Sequence, residues 1–182
     1  GPYTLIMASP VPASIVKRRT EGVKAMLLPR GHEPMDNSAY PWLLGGAKTL
    51  SYAVNMAVLR YVQERGADDA IFITDERRVL EGATSSVLVA KIEDGKKVLY
   101  TPEPSHGILP GTTQGAVFEA ARQAGWELGF GPLYPQDLFE SDGVWLASSV
   151  RLIAPVTHLN GTALAHDPEL TATLLNYLAQ QS

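Results

Sequence analysis

Residues 45–55 read GGAKTLSYAVN and place one lysine, Lys48, where an amphipathic helix is predicted to begin. From about Lys48 to Arg65, apolar side chains recur at three- and four-residue spacing, which is typical of such a helix. These apolar positions are Leu50, Val54, Ala57, Val58 and Tyr61. Gly66 follows as a stop signal. Lysines mostly lie on solvated faces, so a lysine at the edge of an apolar stripe suggests a specific task.

Strands are predicted on both sides of this helix. Residues 4–8 and 23–28 precede it, and residues 70–75, 79–92 (in two pieces) and 96–102 follow it, with turn signals between them. A second helix is predicted over residues 111–126 and a third over 167–180, where Asp167-Pro168 supplies an N-cap and a first-turn proline. Further strand-like segments lie between these two helices. The pattern predicts a single α/β (α+β) domain, residues 1–182, with a mixed sheet and flanking helices.

The composition excludes several classes of protein. The chain has 182 residues, 45% of them hydrophobic and 19% charged, as in ordinary globular domains. Its net charge of −4 gives no general attraction to nucleic acid or to anionic membranes. No segment approaches the ~20 apolar residues of a membrane helix. The chain has no cysteine, so disulfides, thiolate metal sites and a cysteine nucleophile are excluded. A cytoplasmic protein is expected.

The histidines do not predict a metal site. His32, His106, His158 and His166 are scattered over predicted loops, without paired spacing or nearby acidic clusters. A serine hydrolase is equally unsupported, because the Gly-x-Ser-x-Gly elbow is missing.

Four other features can carry chemistry. Lys48, Tyr52 and Asn55 have the spacing of one helical face. Glu81 lies in the apolar segment VLEGATSSVLV, where an unpaired carboxylate is costly to bury. The third feature is Leu109-Pro110-Gly111-Thr112-Thr113, which places a glycine turn and two hydroxyls at a predicted helix start, where an anion is favoured. The fourth is the pair Ser148-Ser149 at the end of a predicted strand.

Each feature also has an ordinary structural interpretation. Lys48 can be solvated, Glu81 can pair with Arg77 or Arg78, Gly111-Thr112 can be a helix cap, and the serine pair can be a simple strand end. Taken together they meet the needs of one ligand. Pyridoxal phosphate requires an amine for a Schiff base, a carboxylate for its ring nitrogen, a donor to its phenolic oxygen and a phosphate cradle.

The order of these motifs resembles that of the fold-type IV, or class IV, pyridoxal-phosphate enzymes. The matching segments are AKTLSYAVNMAVL, VLEGATSSVLV, LYTP, ILPGTTQ and ASSVRLIAPV, from about Thr4 to the C-terminus. The resemblance implies that Lys48 is the Schiff-base lysine and that Glu81 pairs with the ring nitrogen. It further implies cofactor contacts by Tyr52, Leu109, Gly111, Thr112, Thr113, Ser148 and Ser149.

The sequence departs from the family pattern at two positions and in length. Ser86 stands where members often have asparagine, and Gln114 where they often have arginine. The family's N-terminal domain, which normally completes the phosphate and substrate sites, is expected to be absent from this chain. Family members are usually homodimers.

The resemblance implies either of two reactions on a small amino substrate. The preferred one is that of 4-amino-4-deoxychorismate lyase, which releases pyruvate and the folate precursor 4-aminobenzoate. The alternative is transamination of branched-chain or D-amino acids. Arg151 is a weak candidate for binding a substrate carboxylate, as a planar cation suits that task. A third possibility is a chain that binds the cofactor without catalysis, or lacks it.

Overall fold

The computed structural model describes residues 1–31, 47–103 and 107–180. Its helices and strands follow one another along the chain in this order: α1 (Ala13–Glu21), β1 (Val23–Pro29), α2 (Ala53–Gln63), β2 (Asp69–Ile73), β3 (Val79–Gly82), β4 (Ser86–Glu93), β5 (Lys96–Pro102), α3 (Thr112–Gln123), β6 (Glu127–Gly131), α4 (Pro135–Phe139), β7 (Gly143–Ser148), β8 (Leu152–Leu159), β9 (Thr162–Ala163) and α5 (Pro168–Ala179).

The strands form one nine-stranded mixed sheet in the order β3-β2-β1-β8-β7-β4-β5-β6, with β9 paired to β8. β1 runs parallel to both β2 and β8, and β5 runs parallel to β6. The other neighbouring strands are antiparallel. This arrangement confirms the predicted α/β (α+β) class with a mixed sheet and flanking helices.

The two faces of the sheet bury separate apolar cores. In β4, Val87 and Val89 belong to one core while Leu88 and Ala90 belong to the other, as alternation along a strand requires. The second core lies under α3 and α5, where the buried indole of Trp145 donates to Thr171 Oγ1 at 2.9 Å. Because both faces are covered, β4 reads as a continuous apolar run rather than an alternating one.

The strand predicted over residues 4–8 is wrong. Residues 4–8 are irregular, and Leu5, Ile6 and Met7 are exposed, because no strand of the described chain pairs with them. The residues that follow form α1, which lies between Pro12 and Gly22 and contains Lys17, Arg18 and Arg19. Gly22 has φ +78, and a Cβ there would come within 2.5 Å of Thr157 Cγ2. Proline before the helix and glycine after it were signals that the sequence carried.

Helix α2 begins later than predicted and packs through a face that matches the predicted stripe only in part. It begins at Ala53 rather than near Lys48, because Ser51 N donates to Thr49 Oγ1 and Tyr52 N to Leu50 O, which are turn contacts. The predicted stripe positions Leu50, Val54 and Tyr61 are exposed. Of the predicted positions, Val58 does face inward, beside Leu59 and the fully buried Val62. No helix in the described ranges is both long and apolar enough to span a bilayer.

Candidate active site

Lys48 lies in an irregular segment just before α2 and is exposed to solvent. Its Nζ lies 5.6 Å from the centroid of the Tyr52 ring, and Tyr52 occupies the N-cap position of α2. The predicted shared helical face of Lys48, Tyr52 and Asn55 is therefore wrong, although the lysine and the tyrosine remain neighbours. Because Lys48 precedes the helix and is exposed, its long side chain can extend away from α2.

Asn55 has a structural contact instead. Its Nδ2 donates to the backbone carbonyl of Ala83, which follows β3. With Val58, Leu59 and Val62, Asn55 has the i, i+3, i+4, i+7 spacing of one helical face. This contact joins α2 to the turn that begins next to Glu81.

Glu81 lies in β3 with its side chain 14% exposed, and two different elements hold its two oxygens. Oε1 lies 3.3 Å from Arg30 Nη2, and Oε2 accepts a hydrogen bond from Leu109 N at 3.2 Å. Burial raises the pKa of Glu81 above its ordinary value of 4.5, against the opposing effects of Arg30, the Leu109 amide and Lys48. Of these opposing effects, that of Lys48 is the smallest.

Arg30 is the site residue that sequence analysis missed. The sequence offered Arg77 and Arg78 as partners for Glu81, but Arg30 is the arginine that contacts it. Arg30 follows directly after β1, and its backbone N–H donates to Ile73 O at 2.9 Å at the end of the parallel strand β2. Parallel strands bring their carboxyl ends to one edge of a sheet, so this position was a usable signal.

The N-terminus of α3 forms a second part of the site. The helix begins at Thr112 after Gly111, and no side chain caps it. The first backbone N–H groups of a helix lack intrahelical partners, and the helix dipole favours an anion there. A Cβ on Gly111 would come within 2.3 Å of Ser86 Oγ, so a side chain at this position would fill the space between the helix start and β4.

Strand register brings the serines toward the same region. Ser86 is the register partner of Ala147, the residue before Ser148, and Ser148 pairs with Leu152 at the end of β7. Helix α3 packs against β7. Ser149 is exposed in the turn after β7. Ser86 therefore lies between the helix start at Gly111 and the end of the strand that carries Ser148.

Arg151 lies elsewhere. Its guanidinium is buried, and Nη2 lies 2.7 Å from Oδ2 of the fully buried Asp69. Its backbone carbonyl accepts a hydrogen bond from Arg19 Nε at 3.0 Å, while the carbonyl of Val150 accepts one from Arg19 Nη2. Arg151 thus connects the turn after Ser149 to β2, and no contact brings it to Lys48 or Glu81.

The remaining predictions concern histidines and metals. His158 Nδ1 lies 3.2 Å from Thr157 Oγ1, and His166 is partly buried near the start of α5. His32 and His106 lie outside the described residues. Among the described residues, no group of three or more His, Asp or Glu side chains could hold a metal ion.

The donor set fits a phosphorylated aromatic aldehyde such as pyridoxal phosphate. Lys48 supplies an exposed amine and Glu81 a half-buried carboxylate, while the uncapped start of α3 supplies backbone donors. The hydroxyl of Ser85 is buried without a hydrogen-bond partner and lies beside Gly82, whose added Cβ would come within 2.2 Å of it. Glu81, Gly82 and Ser85 are thus part of one tight turn next to the carboxylate.

The chain belongs to the class IV aminotransferase family. The model of that family, described as amino-transferase class IV, matches residues 4–159.

Three proteins illustrate the similarity. A bifunctional aminodeoxychorismate lyase / D-amino acid transaminase of Mycobacterium tuberculosis is 46% identical over 171 residues, which cover 92% of this chain and 59% of that protein. The solved structure of a hypothetical aminotransferase from Mycobacterium tuberculosis, in its PLP-bound form, has a TM-score of 0.88 and 46% identity. That match covers 97% of this chain and 62% of the other. An aminodeoxychorismate lyase of Bacillus subtilis is 32% identical over 112 residues, covering 62% and 37% of the two chains.

The chain spans about three fifths of the length of the two relatives with 46% identity.

Proposed function

We propose that this protein is a pyridoxal-phosphate-dependent 4-amino-4-deoxychorismate lyase, which releases pyruvate and 4-aminobenzoate. The observation that carries the proposal is the Glu81 carboxylate held between Arg30 and the Leu109 amide, in a chain 46% identical to a relative named for that lyase activity. The proposal includes a small amino substrate, a cytoplasmic location and a role in supplying a folate precursor. Arg151 is not part of the proposed site, because Asp69 already engages its guanidinium.

Each residue of the proposed site has a defined task. Lys48 would bond to the aldehyde carbon of the cofactor, and Glu81 would accept a hydrogen bond from the protonated ring nitrogen. Tyr52 would lie near the ring hydroxyl and Leu109 near the ring. The phosphate would be held by the start of α3 and the nearby hydroxyls: Gly111, Thr112, Thr113, Ser148 and Ser149.

The chemistry depends on proton movement at Lys48 Nζ. When bound, the cofactor would accept the electron pair that a substrate carbon retains after losing its proton. The neutral Lys48 amine is the form that takes up that proton, and its exposed position before α2 leaves the amine free to move. The anion of Glu81 stabilises positive charge on the ring side of the site, because it is partly desolvated.

Transamination is a second candidate. The relative with 46% identity is named for a D-amino acid transaminase activity as well as for the lyase, and a D-alanine aminotransferase of Listeria innocua is 30% identical over 142 residues. Both reactions begin with loss of the same substrate proton and require the same use of Lys48 and Glu81. The two reactions would differ in their products: pyruvate and 4-aminobenzoate for the lyase, and a transferred amino group for the transaminase.

The first experiment tests cofactor attachment. The purified protein mixed with pyridoxal phosphate is expected to gain a visible absorption band, and borohydride is expected to fix the cofactor on the peptide that contains Lys48. Lys48→Ala removes both signals because the amine is lost, whereas Lys96→Ala, at the exposed start of β5, retains both. A wild-type protein that stays colourless with added cofactor contradicts the proposal.

The second experiment separates the two reactions. Release of 4-aminobenzoate and pyruvate from 4-amino-4-deoxychorismate supports the lyase, and amino transfer from D-alanine to α-ketoglutarate supports the transaminase. Cofactor labelling of Lys48 without either reaction would support the non-catalytic alternative.

We also propose a homodimer. Helix α2 and its N-cap expose apolar side chains, including Tyr52, Val54, Met56 and Tyr61, close to Lys48. Such a cluster of exposed apolar side chains is typical of a surface that another chain or segment covers. Light scattering during size-exclusion chromatography is expected to give twice the mass of the chain, and a monomeric mass contradicts this part of the proposal.

A further inference from the structure

Arg30 makes three contacts through one guanidinium. Nη2 lies 3.3 Å from Glu81 Oε1, and Nη1 donates to Gly107 O at 3.4 Å. The central carbon of the guanidinium lies 5.9 Å from the centroid of the Phe72 ring. These partners lie in β3, in the loop before α3 and in β2. Arg30 therefore joins the strand of the carboxylate to the loop that leads to the start of α3.

The contacts leave Glu81 able to bind another donor. Arg30 approaches Oε1 and the Leu109 amide approaches Oε2, so neither oxygen carries both protein partners. Each carboxylate oxygen can accept about two hydrogen bonds, which leaves capacity for a further N–H group. The carboxylate is thus held from two sides, with accepting positions to spare.

Among the described residues, two charged groups that act on Glu81 are Arg30, which follows β1, and Lys48, which lies before α2. The Leu109 amide adds a neutral donor from the loop before α3. Burial favours the neutral acid and Arg30 is the strongest of the opposing influences. A protonated Glu81 would carry its own hydrogen and would no longer attract a protonated ring nitrogen. The charge of Arg30 therefore bears directly on the state of the carboxylate.

We propose that Arg30 is a positioning residue that keeps Glu81 ionised and oriented to accept a hydrogen bond from the ring nitrogen of the cofactor. This proposal rests on the proposed function. The task requires arginine rather than lysine, because a planar fork can contact a carboxylate and a carbonyl at once while stacking on an aromatic ring. Through Gly107, the same side chain also links the orientation of Glu81 to the loop before α3.

The first test uses the cofactor-free protein. The folded state raises the pKa of Glu81, so it binds more protons than the unfolded state and stability falls as the pH rises from 4.5 through the raised value. Arg30→Gln removes the strongest opposing charge, so the fall is expected to extend to higher pH. In Glu81→Gln, and in the double variant, this fall disappears. Urea unfolding at a series of pH values measures the profile.

Arg18→Gln is the matched control. Arg18 Nη2 lies 3.2 Å from Asp68 Oδ1, a distance close to that of the Arg30–Glu81 pair, but in α1. Its loss is expected to change stability without moving the part of the profile that depends on Glu81. A purely structural role for Arg30 would give the same result as this control, and that outcome would overturn the proposal.

The second test uses the cofactor-loaded protein. Arg30→Gln is expected to weaken pyridoxal phosphate binding about tenfold, as expected for loss of one charge-assisted hydrogen bond, and to shift the pH midpoint of the visible band. Arg30→Lys is expected to restore the midpoint in part, because it restores the charge but not the fork. If the wild type binds cofactor and neither variant moves the midpoint, Arg30 has no such role.

The outcomes separate the two proposals. If the wild type binds no pyridoxal phosphate but Arg30→Gln still extends the pH profile, the proposed function fails and the coupling between Arg30 and Glu81 stands. If Arg30→Gln does not fold, Arg30→Lys is expected to keep a profile close to that of the wild type, and a profile no different from that of Glu81→Gln contradicts the proposal.

Discussion

Glu81 and Glu119 each pair with an arginine, yet the pKa of one carboxyl is raised and that of the other is lowered. Glu119 lies on the solvent side of α3 and accepts two hydrogen bonds from Arg122, at 2.7 and 3.0 Å, and one from Gln123 at 2.8 Å. The hydrogen bonds from Arg122 and then Gln123 lower its pKa to about 2. Glu81 has a longer contact of 3.3 Å with its arginine, in a half-buried setting.

The difference shows that burial, and not pairing with an arginine alone, decides whether the pKa of a carboxyl is raised or lowered. For Glu81 the loss of water outweighs Arg30, Leu109 and Lys48 together. Glu119 stays in contact with water, so the hydrogen bonds from Arg122 and Gln123 determine its pKa. A carboxylate that is not fully compensated by its own fold still gains from a further positive donor. Glu81 is therefore suited to bind a cationic group of a ligand, and Glu119 is not.

Asp69 and Arg151 extend the comparison to a fully buried pair and give the largest expected effect. Asp69→Asn keeps an oxygen for the Ala70 amide, which Oδ1 accepts at 2.8 Å, but leaves Arg151 as a buried cation without its counter-charge. We expect the free energy of unfolding to fall by about 3–5 kcal/mol. Urea unfolding at neutral pH measures the loss.

The exposed carboxylate of Glu76, which lies 3.7 Å from the half-buried Arg78, supplies the control for Asp69→Asn. Glu76→Gln is expected to change the free energy of unfolding by less than about 1 kcal/mol, because solvent and salt screen exposed charges. Equal effects of the two substitutions would contradict the importance of burial.

Glu81→Gln gives a smaller expected effect at neutral pH. Relief of a half-buried charge is offset by weaker hydrogen bonds to Arg30 and Leu109, so the free energy of unfolding is expected to change by no more than about 2 kcal/mol. The direction with pH is the sharper observable. The wild type loses stability as the pH rises from 4.5 through the raised pKa of Glu81, and the variant lacks this loss. A wild-type profile that rises over this interval while that of the variant does not would contradict the raised pKa.

Much of the fold could be predicted from the sequence, because the buried strands have strong local signals. The two pieces of VLEGATSSVLVAKI became β3 and β4, and LYTP ended β5 as expected. The strand predicted over residues 4–8 failed because strand formation needs a partner, and a single segment does not reveal its partner. The start of α2 failed because Thr49 and Ser51 form turn contacts that compete with the helix.

The site divides in the same way. Glu81 and the helix start at Gly111 could be found locally, since a carboxylate in an apolar strand and a glycine before hydroxyl residues are both visible in the sequence. Arg30 and the Asp69–Arg151 pair could not be found in this way, because each joins positions far apart in the chain. Only the parallel pairing of β1 with β2 and the approach of the loop before α3 bring Arg30 to Glu81.

Glu119→Gln is the smallest expected effect and completes the comparison. Because the folded state lowers the pKa of Glu119, its contribution to stability is present above 4.5 and disappears as the pH falls toward about 2. Solvent screens this exposed pair, so at neutral pH the free energy of unfolding of Glu119→Gln is expected to be close to that of the wild type. Unfolding followed from neutral to acid pH is expected to show any difference shrinking with acid, opposite in direction to the profile of Glu81. If the stability difference between the wild type and Glu119→Gln grew as the pH fell, the lowered pKa of Glu119 would be contradicted.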